Sequence, residues 1–247
     1  MIKKLIFIAI IVTAGLACRS YKRSVAGKIA NNSSIGLTGI RKNYAYIDVS
    51  TALSHPQSLV WGVIKVSKYD DLIMDFSVSI KWDWRLLASL ICQESEFDAD
   101  VRSVAGAYGL MQIMPVTGRN FNIDITASPE NNLKAGILYI NWLYSIFTPK
   151  IPDKVERLSF VLAAYNAGPG HVLDAMRLAE KNGMDPQKWD GSVAVWLLKK
   201  SEPQYYSDSV VKNGYFRGKE SVRFVSEVLD RFEHYKNIIP REKSRPF

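Results

Sequence analysis

The sequence predicts a mainly α fold, and three observations carry that prediction. Apolar residues recur at three-and-four spacing along successive stretches of the chain. Those stretches open on capping residues or proline and close on glycine or proline. No strand-rich region and no internal repeat interrupts them. At 247 residues the chain has room for one good-sized core, or for one domain plus a tail. A 47% hydrophobic and 23% charged composition is that of an ordinary globular protein, not a disordered one. The formal charge of +8 favours anionic partners, but no nucleic-acid motif accompanies it. The basic clusters at Lys22-Arg23 and at Arg241, Lys243 and Arg245 read as solvated tails.

The elements follow in order. Residues 1–17 read as a signal peptide: Lys3-Lys4 is a positive start, Leu5 to Val12 an apolar run and Ala14-Gly15-Leu16-Ala17 a small-residue exit. The segment is too short to span a membrane comfortably. Cys18 resembles the lipidated cysteine of a bacterial lipoprotein, which would anchor the protein to a membrane. Gly15 stands where that pattern has Leu, so ordinary cleavage after Ala17 is the alternative. Either route places the protein outside the cytoplasm, in the cell envelope. Residues 18–56 are polar and basic and read as a tether, with a short extended segment at Tyr44 to Val49. Residues 57–240 form the domain, and 241–247 a basic tail.

Leu59 to about Ile80 carries one or two helices. Asp83 caps a helix from Trp84 to Glu94, in which Trp84, Leu87, Ala88, Ile91 and Cys92 form one apolar face. Phe97 to Val104 is a polar loop, Gly106 to Ile113 a turn or small hairpin, and Pro115 opens the next helix. Ser128-Pro129-Glu130 starts a long helix with the stripe Leu133, Ile137, Ile140, Tyr144 and Phe147. Further helices run from Lys154 to Ala167, His171 to Lys181, Val193 to Lys200 and Glu220 to Lys236, the last with Val222, Val225, Leu229 and Phe232 inward.

Glu94 continues the buried face at the C-terminal end of its helix, where the helix dipole gives an acid no help. Burial there raises a carboxyl pKa, as a general acid near neutral pH requires. The plainer reading is a helix-end carboxylate reaching water. Against it, Gln93-Glu94-Ser95-Glu96 interrupts an apolar run, and a segment rich in Gly and Met follows closely. In that segment Gly109 lets the backbone approach a ligand. Met111 offers an adaptable apolar surface, or fills the core, and Gln112 offers donors and an acceptor to an N-acetylated sugar. The only other cysteine, Cys92, sits on an apolar face as a small buried hydrophobe, and His55, His171 and His234 give it no base. No metal-ligand spacing occurs, and no cofactor is expected.

Glu94-Ser95, then Gly109-Leu110-Met111-Gln112 with Met114-Pro115, then Ala164-Tyr165-Asn166-Ala167-Gly168, resemble the three motifs of the soluble lytic transglycosylase (SLT) family, in its order and with similar spacing. The resemblance covers roughly Leu59 to Ile239 and implies a lysozyme-like helical domain with a small irregular hairpin by the active site. It further implies that Ser95 contacts substrate sugar, that Met111 and Gln112 hold the peptide-substituted sugar, and that the Tyr165 hydroxyl bonds the catalytic carboxyl, with Asn166 beside it at the cleft. Pro203-Gln204-Tyr205-Tyr206 and Gly214 to Glu220 look like the C-terminal part of membrane-bound lytic transglycosylases of the F type, which places Tyr206 and Tyr215 near the cleft. At this length the chain would lack the N-terminal substrate-binding-protein-like domain of those enzymes.

The resemblance implies a one-carboxylate reaction on peptidoglycan, with Glu94 as acid and then base and a 1,6-anhydro sugar as product. A water positioned by Glu96, Asp98 or Asp100 would instead make a muramidase-type hydrolase. A non-catalytic wall-binding lipoprotein is the third alternative. A scaffold, however, has no need of Glu94, Ser95, Gln112 and Tyr165 together.

Overall fold

In the computed structural model, residues 65–239 are described. The signal peptide, Cys18, the tether, the segment at Tyr44 to Val49, the start of the Leu59 stretch and the basic tail all lie outside them. The first helix among the described residues is α1 (Asp70–Ser79), within the stretch from Leu59 to Ile80. The Asp70 carboxylate accepts hydrogen bonds from the Val66 and Ser67 amides at 2.7 and 2.8 Å, which draws the preceding chain into a turn instead of a helix.

Helix α2 (Trp84–Ser95) starts where the cap predicts, with Asp83 accepting from the Arg85 amide. Its burial departs from the expected single face. Every residue from Trp84 to Cys92 is buried, Arg85 and Ser89 included. The cause is enclosure, because α1 and the last helix both pack against it. Arg85 is tolerated there because Asp83 pairs with it and the Ile239 carbonyl accepts from it at 2.7 Å. Ser89 returns its proton to the Arg85 carbonyl.

Beyond α2, Glu96 and Phe97 both adopt left-handed conformations and turn the chain sharply away. The loop that follows makes two isolated antiparallel bridges, Arg102 to Tyr108 and Tyr108 to Ile113, which is the expected small hairpin. Next come α3 (Pro115–Asn120), α4 (Pro129–Phe147), α5 (Lys154–Ala167) and α6 (Pro169–Lys181). Helix α4 starts on Ser128, whose hydroxyl accepts from the Asn131 amide. Asp153 takes the same part for α5. A wide turn at Trp189–Val193 leads into α7 (Ala194–Lys199), then the one-turn α8 (Pro203–Tyr206) and the long α9 (Lys219–Ile238). No regular strand occurs among the described residues.

Helix α9 lies against both α2 and α5. Two contacts turn its buried set to Ser221, Phe224, Val225, Val228 and Tyr235, while Val222, Leu229 and Phe232 are only partly covered. Its polar edge meets α2 through Arg231, which donates to Gln93, while Gln93 donates to Glu227 at 2.9 Å. At the other end of the fold Lys200 is wholly buried, its ammonium 2.5 Å from Asp174 and 2.7 Å from His171 Nδ1. Asp174 also accepts from Arg177 and from the Lys212 and Asn213 amides, so it fastens the segment between α8 and α9 onto α6.

Candidate active site

Glu94 lies in the last turn of α2, half-buried, and its carboxylate accepts no hydrogen bond among the described residues. Burial pushes its pKa up to about 8 from an ordinary 4.5, with no charged neighbour contributing. At neutral pH such a group holds its proton. The expected rivals for a second acid are committed elsewhere. Asp98 accepts from the Asp100 amide, Asp100 accepts from the Tyr108 hydroxyl at 3.0 Å, and Glu96 is exposed at the left-handed helix cap.

The Tyr165 hydroxyl departs from its expected bond to Glu94. It donates to the Met111 carbonyl at 2.6 Å. Tyr165 still lies beside the acid: its hydroxyl pKa is raised first by burial and then by the Glu94 charge. The Met111 carbonyl lies in the loop between α2 and α3. That loop is fixed by Asn132 of α4, whose Oδ1 accepts from the Met111 amide at 2.9 Å and whose Nδ2 donates to the Tyr108 carbonyl at 2.7 Å.

The same anchor revises Gly109. Its φ is +75°, and a Cβ there would come within 2.5 Å of Asn132 Nδ2, so the close approach seen here is to Asn132. Met111 is fully buried and packs over Gly136, which makes it core, as the alternative reading had it. Gln112 donates to the Gly109 and Val101 carbonyls at 2.9 and 3.2 Å, leaving its carbonyl oxygen as the atom it can offer. Ser95 is 8% exposed, and its hydroxyl reaches the Leu110 carbonyl at 2.9 Å, so it ties α2 to the loop where a sugar contact was expected.

Asn166 is half-buried at the end of α5 and accepts from Ser221 of α9 at 2.6 Å. The segment bearing Tyr206 and Tyr215 is pinned nearby, with Asn213 donating to the Gly170 carbonyl just beyond that helix end. The two rings meet edge to face at 5.6 Å, and Tyr215 is exposed. Cys92 is buried and is a hydrogen-bond neighbour of Tyr235, while His171 serves the Lys200 cluster. Among the described residues no group of His, Cys, Asp and Glu could hold a metal. No described helix is long and apolar enough to cross a membrane.

Two residues of the site escaped the sequence reading. Asn132 carried a signal, as the second of two adjacent asparagines just before the stripe that begins at Leu133. Tyr139, whose ring packs 5.4 Å from Tyr165, carried none beyond helical spacing.

Residues 76–187 match the transglycosylase SLT domain. The chain is 35% identical over 191 residues to a membrane-bound lytic murein transglycosylase F of Maricaulis maris, covering 76% of this chain and 39% of that one. It is 38% identical over 163 residues to the protein of that name in Desulfosudis oleivorans, covering 66% and 34%. The chain thus spans well under half the length of these relatives. Among solved structures, the 70 kDa soluble lytic transglycosylase of Escherichia coli aligns with a TM-score of 0.46 at 25% identity, over 72% of this chain and 27% of that one.

Proposed function

Because the chain carries a transglycosylase SLT domain over residues 76–187, we propose that it is a lytic transglycosylase that cleaves the β-1,4 bond from N-acetylmuramic acid to N-acetylglucosamine in peptidoglycan. The observation that carries this reading is Glu94: a carboxyl whose pKa burial raises to about 8, with no hydrogen bond and no second carboxylate acting on it among the described residues. Ordinary glycosidases need two carboxyl groups, one to protonate the leaving oxygen and one to act as nucleophile or to activate water. Where one carboxyl acts, the substrate's own groups can supply the rest.

Glu94 donates its proton to the glycosidic oxygen as the bond to C1 breaks. The substrate's own acetamide stabilises the electron-poor C1. The C6 hydroxyl of the same muramic residue then attacks C1 and returns its proton to Glu94, closing a 1,6-anhydro ring with no water consumed. A carboxylate just formed in a desolvated site is a strong base, so the burial that keeps the acid protonated also drives the second step. Asn166, the Gln112 carbonyl, Tyr206 and Tyr215 are the groups we assign to substrate binding. Ser95, Gly109, Met111 and Tyr165 act one step back, by shaping the loop against the acid.

Mass spectrometry of the products released from purified sacculi tests the assignment. Anhydro-muropeptides from the wild type and none from Glu94→Gln are expected. Reducing-end products would make the enzyme a hydrolase, and no release from either protein would leave a wall-binding scaffold. We further assign the protein to the envelope, anchored by lipid on Cys18. Radiolabelled palmitate should enter the exported chain, and Cys18→Ser should abolish both the label and the sedimentation with membranes.

A further inference from the structure

One face of α4 carries aromatic residues that the proposed reaction does not use. The Trp142 ring stacks on Tyr139 at 5.6 Å and 21°, and Tyr139 lies 5.4 Å from Tyr165, the neighbour of Glu94. A row of rings therefore leads from beside Glu94 along α4 to the surface. At its outer end Trp142 is 45% exposed, and only Tyr215 among the other described aromatic residues is comparably open. An indole left in water forgoes the stabilisation that burial of its apolar area would bring. Here the ring is also held flat against a second ring, so its orientation is set before any ligand arrives.

Tyr139 adds a polar group to this surface. It is half-buried, and its hydroxyl makes no hydrogen bond among the described residues. Covered tyrosine hydroxyls usually find a partner. A flat apolar ring beside an unused donor suits a molecule with an apolar face and a polar rim, which describes a pyranose better than a peptide helix or a lipid chain.

We propose that Tyr139 and Trp142 form a sugar-stacking subsite, which holds a pyranose of the glycan strand a short way along from the bond at Glu94. Trp142 supplies the platform and the Tyr139 hydroxyl donates to the sugar's polar rim. This rests on the reading of the Glu94 cleft as a glycan site, and it adds a direction: the strand runs out over α4. It also makes cleavage favour strands long enough to reach Trp142.

The test is calorimetric titration of a β-1,4-linked N-acetylglucosamine tetramer into the full exported chain carrying Glu94→Gln, with and without Trp142→Ala. Removal of the platform should weaken binding about 3- to 10-fold, and Trp142→Phe should restore most of it. Without the Glu94 change, Trp142→Ala should raise KM on long strands and leave kcat near the wild-type value. Equal affinity with and without Trp142 would overturn the subsite while leaving the glycan reading intact. Failure of both proteins to bind the tetramer would overturn the two together. A dimer that sedimentation shows for the wild type and not for Trp142→Ala would make the row an interface between copies and refute the proposal.

Discussion

Replacing Glu94 with Gln should stabilise the protein in alkaline solution and change nothing in acid. The folded carboxyl has its pKa raised from 4.5 to about 8 by burial. Between those values the folded state therefore binds more protons than the unfolded chain, and stability falls as pH rises through that window. Below about pH 4.5 both states are protonated and the group contributes nothing. Above about pH 8 the folded protein carries the full cost of a desolvated carboxylate. The whole shift corresponds to about 5 kcal/mol at 1.36 kcal/mol per pH unit. Water reaching a half-buried side chain reduces that, and about 2–4 kcal/mol is a fair expectation.

Glutamine keeps the shape and removes the charge. Urea unfolding of both proteins at pH 5, 7 and 9 reads the difference directly. The variant's advantage should be small at pH 5 and reach its plateau by pH 9, where melting should rise by roughly 5–15 °C for a domain of this size. An advantage that does not change with pH, or a variant weaker at pH 9, would show that the carboxyl is solvated or bonded in the native state. In either case the acid assignment would lose its physical basis.

The other predictions concern the groups around the acid and the far cluster. Tyr165→Phe leaves the Met111 carbonyl without its donor and should cost about 1 kcal/mol. It should not raise the Glu94 pKa, read by NMR titration, whereas loss of a direct tyrosine–carboxylate bond would raise it. Asn132→Ala orphans the Met111 amide and removes one of the two donors to the Tyr108 carbonyl, the Ile113 amide remaining. It should cost about 1–3 kcal/mol and speed hydrogen exchange at Met111; unchanged exchange there would show that the loop does not depend on this anchor. Asp174→Asn leaves the buried Lys200 ammonium unpaired and should cost about 3–5 kcal/mol. Adding Lys200→Met should recover much of that loss in urea unfolding, and a double variant no better than the single one would contradict the pairing.

Most helix starts were legible because their signals are local. Asp83, Ser128 and Asp153 each cap a helix by bonding amides two or three residues ahead, so the sequence alone holds both partners. The buried side of a helix is a tertiary property and was read less well. Helix α2 showed one apolar face, yet α1 and α9 enclose the other, and Arg85 and Ser89 are buried with their hydrogen bonds satisfied. Glu94 was legible as an acid at the end of an apolar helix. The roles of its neighbours were not, because each depends on a partner far along the chain. Gly109 and Met111 looked like ligand contacts until Asn132 and Gly136 of α4 were seen against them.

Those misread neighbours explain the acid. A carboxylate that accepts hydrogen bonds has its pKa lowered, so a carboxyl meant to stay protonated must be kept from donors. Ser95, Gln112 and Tyr165 all carry donors close to Glu94 in sequence or in space. Each gives its proton to a backbone carbonyl of the loop, at Leu110, Gly109 and Met111 respectively. Asn132 holds that loop in place so that its carbonyls meet the three side chains. One arrangement thus has two effects: it builds a stable wall beside the acid, and it consumes the donors that would otherwise ionise it. The helix end adds a third influence of the same sign, since the negative end of the α2 dipole disfavours a charge on Glu94. In the reaction proposed for Glu94, the polar residues of the motifs would act by what they withhold from the carboxyl, and its proton would be a property of the loop as much as of the residue.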